Sequence, residues 1–254
     1  MRKHKGFTLI ELLVVIATIA LLMGILMPAL HKAKKQAVKT ICRANLKQQG
    51  VGFTMYAADN DYKLPKQPVG AGPWLWDLSY FTTDIIIDNG GDASLFFCPT
   101  KMKEGVRPDN HRYWRATEWW QQYPSGTDGP VDVYLAFPEP VDAETRKQYK
   151  RVLSYFYMID TTAGRGPIEG TGDHQWITSL ITLKQAANRE LTTDATLTDD
   201  TGEHFDAVFE RTANHAANHR RGGRPEGGNI LYVDGHVAWR PFEEMENRYM
   251  RFWW

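Results

Sequence analysis

The chain has 254 residues with 30 basic and 30 acidic side chains, so its formal net charge is zero and a nucleic-acid partner held by bulk charge is not expected. Charged residues make up 24% and hydrophobic ones 43% of the chain, ordinary for a globular protein, and nine tryptophans are the one unusual feature of composition. No internal repeat and no low-complexity linker is visible.

The first element is KGFTLIELLVVIATIALLMGILMPAL, in which residues 7–30 carry one ionisable side chain, Glu11. A helix of about 20 residues crosses a ~30 Å hydrocarbon core, so this run is long enough to span a membrane. A secretory signal peptide would have an apolar region of only about 7–15 residues and a small-x-small cleavage site, whereas Pro28, Leu30 and His31 make a poor one. The unbroken length also argues against a buried core helix. A carboxylate at mid-span costs about 2.5–3.5 kcal/mol on insertion scales. The residues three and four away, Phe7, Thr8, Val14 and Val15, include no base, so an intrahelical ion pair is excluded. The partner of Glu11 is expected from another molecule or from a new chain terminus.

Preceded by Arg2 and Lys3, the stretch Lys5-Gly6-Phe7-Thr8-Leu9-Ile10-Glu11 resembles the type IV prepilin signal of pilins and of the pseudopilins of type II secretion. The resemblance implies cleavage between Gly6 and Phe7 by a membrane peptidase, N-methylation of Phe7, and a mature chain whose fifth residue is Glu11. It further implies that Glu11 faces the N-terminal amine of a neighbouring subunit and neutralises it inside a dry filament core. Arg2, Lys3 and Lys5 precede the span while Lys32, Lys34, Lys35, Lys39 and Arg43 follow it, so a count of positive charges does not favour a cytoplasmic N-terminus. The resemblance does, and it makes the basic stretch a solvated helix face near lipid headgroups.

Beyond the span no proline occurs from residue 29 to 58, and Val38, Ile41, Cys42, Leu46, Phe53 and Tyr56 recur at helical spacing. The pattern predicts an amphipathic continuation of the helix, bent or locally unwound at Pro28 and stopped by Asp59-Asn60-Asp61-Tyr62-Lys63-Leu64-Pro65. The domain organisation expected is a leader at 1–6, a transmembrane helix at 7–30, an amphipathic continuation at 31–59 and an extracytoplasmic globular domain at 60–254. That last part is long enough for its own core. Short apolar runs at 152–158, 176–183 and 229–239 predict strands, so the fold class expected is α+β, a long helix against an antiparallel sheet, as the pilin resemblance implies. Residues 65–73 and 109–140 read as loops.

Within GGNILYVDGHVAWRPF, Asp234-Gly235 between β-forming runs predicts a tight type I′ hairpin, with Ile230 and Tyr232 on one face and Leu231 and Val233 on the other. Asn218-His219, a Gly-rich loop and Asn229-Ile230-Leu231-Tyr232-Val233-Asp234-Gly235-His236-Val237 resemble the C-terminal H-x9-DG motif of a group of prepilin-processed proteins abundant in planctomycetes. Fourteen residues, not nine, separate His219 from Asp234 here, with the surplus in Arg220-Arg221-Gly222-Gly223-Arg224-Pro225-Glu226. Cys42-Arg43-Ala44-Asn45-Leu46-Lys47-Gln48, Met55-Tyr56-Ala57 and Phe97-Cys98-Pro99 resemble the same group; nothing comparable covers residues 100–190.

Two cysteines outside the cytoplasmic membrane invite a Cys42–Cys98 disulfide, worth about 4 kcal/mol by loop closure; the other reading is two buried free thiols. His204, Asp206, His215, His219, Asp234 and His236 crowd the C-terminal part. His215 and His219 are four apart, as in helical zinc pairs, with His236 a third ligand candidate. No carboxylate is embedded between the pair, and histidines beside Gly-rich turns more often hydrogen-bond the backbone. The acids of Thr193-Asp194-Ala195-Thr196-Leu197-Thr198-Asp199-Asp200 would suit calcium but lack the spacing of an EF-hand loop. The expectation is therefore no cofactor, with zinc or calcium as the chemistries these side chains would take, and no enzymatic activity.

Trp114, Trp119 and Trp120 with Tyr113 and Tyr123 read as core, or as a sugar-stacking or protein-contact surface. Two functions follow. The first is a structural subunit of a type II secretion pseudopilus or type IV pilus-like filament, with the prepilin peptidase, other pilin subunits and the inner membrane as partners. The second is a cell-surface binding protein that uses the prepilin signal only for export and anchoring, with a carbohydrate or protein ligand.

Overall fold

The computed structural model describes residues 8–65, 75, 77–103, 150–153, 155–159, 176–180, 186–198, 205, 217–249 and 252–253. The chain divides into two units, residues 1–39 and 40–254.

The first unit is helical. Helix α1 (Leu9–Asp59) runs through it and on into the second, and every described residue from Thr8 to Ala37 is exposed. The unwinding expected at Pro28 does not occur, since α1 is helical through it. Proline removes a single backbone donor, a loss that a helix of 51 residues absorbs without breaking.

Within the second unit, α1 buries Cys42, Leu46, Gln49, Gly50, Gly52, Phe53 and Ala57, a stripe stepping by three and four residues. The expected face is rotated at its start: Ile41 is exposed, and Val38 and Tyr56 are half-buried. Two glycines were not anticipated on this stripe. A Cβ at Gly50 would lie 2.9 Å from Leu231 Cδ1, and one at Gly52 would lie 3.1 Å from Ile86 Cα, so glycine lets the helix approach its neighbours closely. The helix ends where expected. Tyr62 N–H donates to Ala57 O (2.7 Å), and Asp61 and Tyr62 adopt left-handed φ of 53° and 57°, ending the helix without a glycine.

Strand β1 (Asp77–Ser79) leads into α2 (Tyr80–Asp88), whose N-cap Ser79 accepts from Thr82 N–H. Asp92 caps a short 3₁₀ turn (Ala93–Phe96), and α3 (Pro99–Lys103) starts on Pro99, where a missing N–H costs nothing. The strand expected at 152–158 is two: β2 (Lys150–Val152) pairs with β1, while β3 (Tyr155–Tyr157) joins the main sheet. Residues 176–180 make two isolated bridges, Ile177 with Ile159 and Ser179 with Lys63, in place of the expected strand start; 181–183 lie outside the described residues.

Next come β4 (Glu190–Asp194), β5 (Arg220–Arg221), β6 (Arg224–Pro225), β7 (Gly227–Tyr232), β8 (Val237–Pro241), β9 (Asn247–Tyr249) and β10 (Phe252–Trp253). The main sheet is antiparallel with order β3-β4-β7-β8, and β4 is buried along its whole length. The fold is α+β, as expected.

The turn joining β7 to β8 is not type I′. Gly235 N–H donates to Tyr232 O, Tyr232 N–H donates to His236 O, and of the central residues only Gly235 has positive φ (85°). This is a three-residue loop, a type I turn closed by a left-handed glycine. A turn with both central residues at positive φ occurs instead at Gly222 (59°) and Gly223 (84°), between β5 and β6. The surplus residues after His219 thus fold as a hairpin of their own.

Candidate functional site

The N-terminal motif starts at a helix end. Glu11 Oε2 accepts from both Thr8 N–H and Thr8 Oγ1 (2.8 Å each), and Thr8 Oγ1 accepts from Glu11 N–H (3.3 Å). This reciprocal arrangement is a capping box, which the Thr-x-x-Glu spacing announces. Glu11 therefore has a hydrogen-bonding partner in its own helix, although no charge compensates it there. Gly6 and Phe7 lie outside the described residues. The exposed apolar surface from Leu9 to Leu30 is the only helix among the described residues long and apolar enough to cross a membrane.

The second unit holds a buried cluster. Cys42 arrives on α1, Cys98 in the turn before α3, Asp194 at the end of β4 and His219 just ahead of β5. Their ligand atoms all lie within 4.8 Å of one another. The two sulfurs are 3.2 Å apart and both thiols are free. His219 Nε2 lies 3.0 Å from Asp194 Oδ2. That carboxylate also accepts from Asn229 N–H (2.7 Å) and Asn229 Nδ2 (2.9 Å), and its Oδ1 accepts from Asn218 Nδ2 (3.2 Å). Thr100 Oγ1 lies 2.9 Å from Cys98 Sγ. His219 holds a left-handed φ of 48°, with the Trp239 ring edge-on to its imidazole at 5.5 Å.

Electrostatics follow from this geometry. Burial acts to raise the Asp194 carboxyl, but the His219 charge and the hydrogen bonds from His219 and Asn229 outweigh it and hold the group below the usual carboxylate range. Burial likewise acts to raise Cys98, yet the Cys42 hydrogen bond and the His219 charge bring it down to about 7. The same hydrogen bond, together with burial, pushes Cys42 up. Of the two thiols, Cys98 is the one that gives up its proton more readily.

The remaining expected site residues separate. His219 and Asp234-Gly235, joined in the sequence motif, have different partners: Asp194 for the histidine, and His236 for Asp234, whose Oδ1 is 2.6 Å from His236 Nδ1 on the exposed hairpin turn. His236 also stacks on Tyr232 at 4.2 Å, away from any metal-binding group among the described residues. His204, His215, Asp206, Asp199 and Asp200, and the aromatic loop with Trp114, Trp119, Trp120, Tyr113 and Tyr123, lie outside the described residues. Asp194, considered only as a calcium ligand, turns out to face a histidine and two cysteines instead. Its pairing with His219 spans 25 positions, so no local spacing announces it.

Known proteins agree with the N-terminal reading. A family model described as the prokaryotic N-terminal methylation motif matches residues 1–27. Over 61 residues, 24% of this chain and 47% of the relative, the sequence is 49% identical to the type IV wide pilus major component PilA4 of Thermus thermophilus. Over 108 residues, 39% of this chain and 76% of the relative, it is 26% identical to the type II secretion system core protein G of Pseudomonas aeruginosa. The chain thus spans about half the length of the first relative and three quarters of the second, and no solved structure matches it. The chain carries the N-terminal methylation motif and is similar over part of its length to a type IV pilus component and to a type II secretion core protein.

Proposed function

We propose that this protein is a membrane-anchored structural subunit of a type II secretion pseudopilus or type IV pilus-like filament. A prepilin peptidase cleaves it between Gly6 and Phe7 and methylates the new Phe7 amine. The observation that carries this reading is the coincidence of the methylation motif with a helix whose first thirty or so residues are exposed and mostly apolar. Such a surface is covered first by lipid, with the N-terminus in the cytoplasm, and then by the helices of neighbouring subunits. The second unit is held outside the inner membrane and forms the filament exterior. The work is mechanical, and the relatives are named as filament or secretion components.

Glu11 sets the register. In a dry helical core an unpaired carboxylate costs several kcal/mol, and the amine of an adjacent subunit removes that cost only in one axial position. The capping box supplies hydrogen bonds to the same carboxylate without cancelling its charge, so both functions fit one residue. Assembly assays on Glu11→Ala and Thr8→Ala separate them. Sheared filaments are expected to vanish for Glu11→Ala, with membrane levels unchanged, and to persist for Thr8→Ala. Equal loss in both would leave Glu11 as a helix cap alone.

A further inference from the structure

We propose that Cys42, Cys98, Asp194 and His219 form a structural site for a tetrahedral divalent cation of the zinc class. Four elements distant in sequence each deliver one ligand atom to a single buried point. Zinc bonds of about 2.3 Å to sulfur and about 2.0–2.2 Å to nitrogen or oxygen place tetrahedral ligands about 3.3–3.8 Å apart. The sulfurs at 3.2 Å, the imidazole and carboxylate at 3.0 Å, and an outer limit of 4.8 Å for all pairs surround that range. Small side-chain movements suffice.

The donor set selects the metal. Two thiolates with an imidazole and a carboxylate suit a borderline-soft ion, whereas calcium and magnesium take oxygen ligands. Two thiolates and one carboxylate outweigh a dication by a single negative charge. The surroundings meet that excess: Asn218 and Asn229 donate three hydrogen bonds to the carboxylate and Thr100 sits against the Cys98 sulfur. Partners of this kind orient metal ligands in established sites. Burying two thiols, a carboxylate and an imidazole together is costly in a core of this size, and a bound cation removes that cost in one step. Binding releases the thiol protons, and any proton on His219, to solvent, leaves no change in oxidation state and needs no co-reactant.

The function of such an ion is to fasten the extramembrane half of α1 to β4 and to the segments before α3 and β5, within the second unit. A Cys42–Cys98 disulfide would make a different fastening, leaving Asp194 and His219 without a metal to share.

The test is made on the full chain purified in detergent without chelators. Elemental analysis is expected to give one zinc per chain, and mass measurement after denaturation to give two free thiols. Exchange into cobalt(II) is expected to produce a thiolate-to-metal charge-transfer band and the intense visible bands of tetrahedral cobalt. The charge-transfer band should fall by about half in Cys98→Ser, and the metal should be lost in the Cys42→Ser, Cys98→Ser double variant. Because those variants can fail to fold, the wild-type cobalt spectrum decides by itself. Metal bound without a thiolate band, or a chain that lacks metal with its thiols either joined or free, would overturn the proposal.

Discussion

Leu46 and Ile41 lie five positions apart on one helix, both apolar and both expected on its packed face, yet Leu46 is fully buried and Ile41 is 47% exposed. Replacing either with alanine removes three carbon atoms, so the comparison isolates burial. At about 0.8 kcal/mol per buried carbon, Leu46→Ala loses about 2.4 kcal/mol of transfer free energy, and the cavity left beneath α1 raises the total to about 3 kcal/mol. For Ile41→Ala about half the transfer applies, no closed cavity forms, and alanine regains about 0.4 kcal/mol of helix propensity, which leaves less than about 1 kcal/mol. Urea unfolding of the full chain in detergent, followed by tryptophan fluorescence, measures both. Equal losses for the two variants, or a loss below about 1 kcal/mol for Leu46→Ala, would refute the register of α1 on the second unit.

Gly227 holds φ of 136° with its ideal Cβ position against Arg240 O and Pro241 Cα, so Gly227→Ala combines backbone strain with overpacking and is expected to cost about 2–5 kcal/mol in the same assay. Arg240 Nη2 donates to Glu190 Oε1 at 3.0 Å and to Tyr232 Oη at 3.1 Å, so Arg240→Met takes a charged donor away from a buried carboxylate. Because the guanidinium still meets solvent, the expected cost lies near the low end of the buried-pair range, about 2–3 kcal/mol. Although burial acts to raise the Asp234 carboxyl, the His236 N–H and ring hold it below its ordinary value. A depressed carboxyl adds stability above the unfolded pKa of about 3.9 and loses it as pH falls through the folded value. The stability gap between wild type and Asp234→Asn should therefore shrink as pH falls from about 5 toward 3.

The helix was legible because its two halves carry strong, simple signals. The uninterrupted apolar run gives the first, and a three-and-four spacing closed by Asp59-Asn60 gives the second. The hairpin at 229–239 was placed correctly for a related reason, since β-branched residues flank an Asp-Gly. Its turn type was not, because two-residue and three-residue loops share that dipeptide and only the pairing of Tyr232 with His236 separates them. Strand β4 left no trace. Its sequence Glu-Leu-Thr-Thr-Asp offers one aliphatic residue, yet all five positions are buried between β3 and β7. Its two carboxylates are tolerated there because neighbouring elements supply partners, Asn229 and His219 for Asp194 and Arg240 for Glu190, and those partners are remote in sequence. The buried cluster was half legible for the same reason: the two cysteines were singled out together, while Asp194 and His219 were each assigned elsewhere. Gln49 carries no apolar signal, but it fills a core position on α1 by donating to Leu95 O and accepting from Tyr157 Oη.

The most direct test of the filament-subunit account is the intact mass of the protein made together with a prepilin peptidase, with Gly6→Val made alongside. The account predicts that the wild type loses residues 1–6 and gains one methyl group while Gly6→Val stays whole. A wild-type chain that keeps its first six residues would contradict it and leave residues 7–30 as a membrane anchor alone.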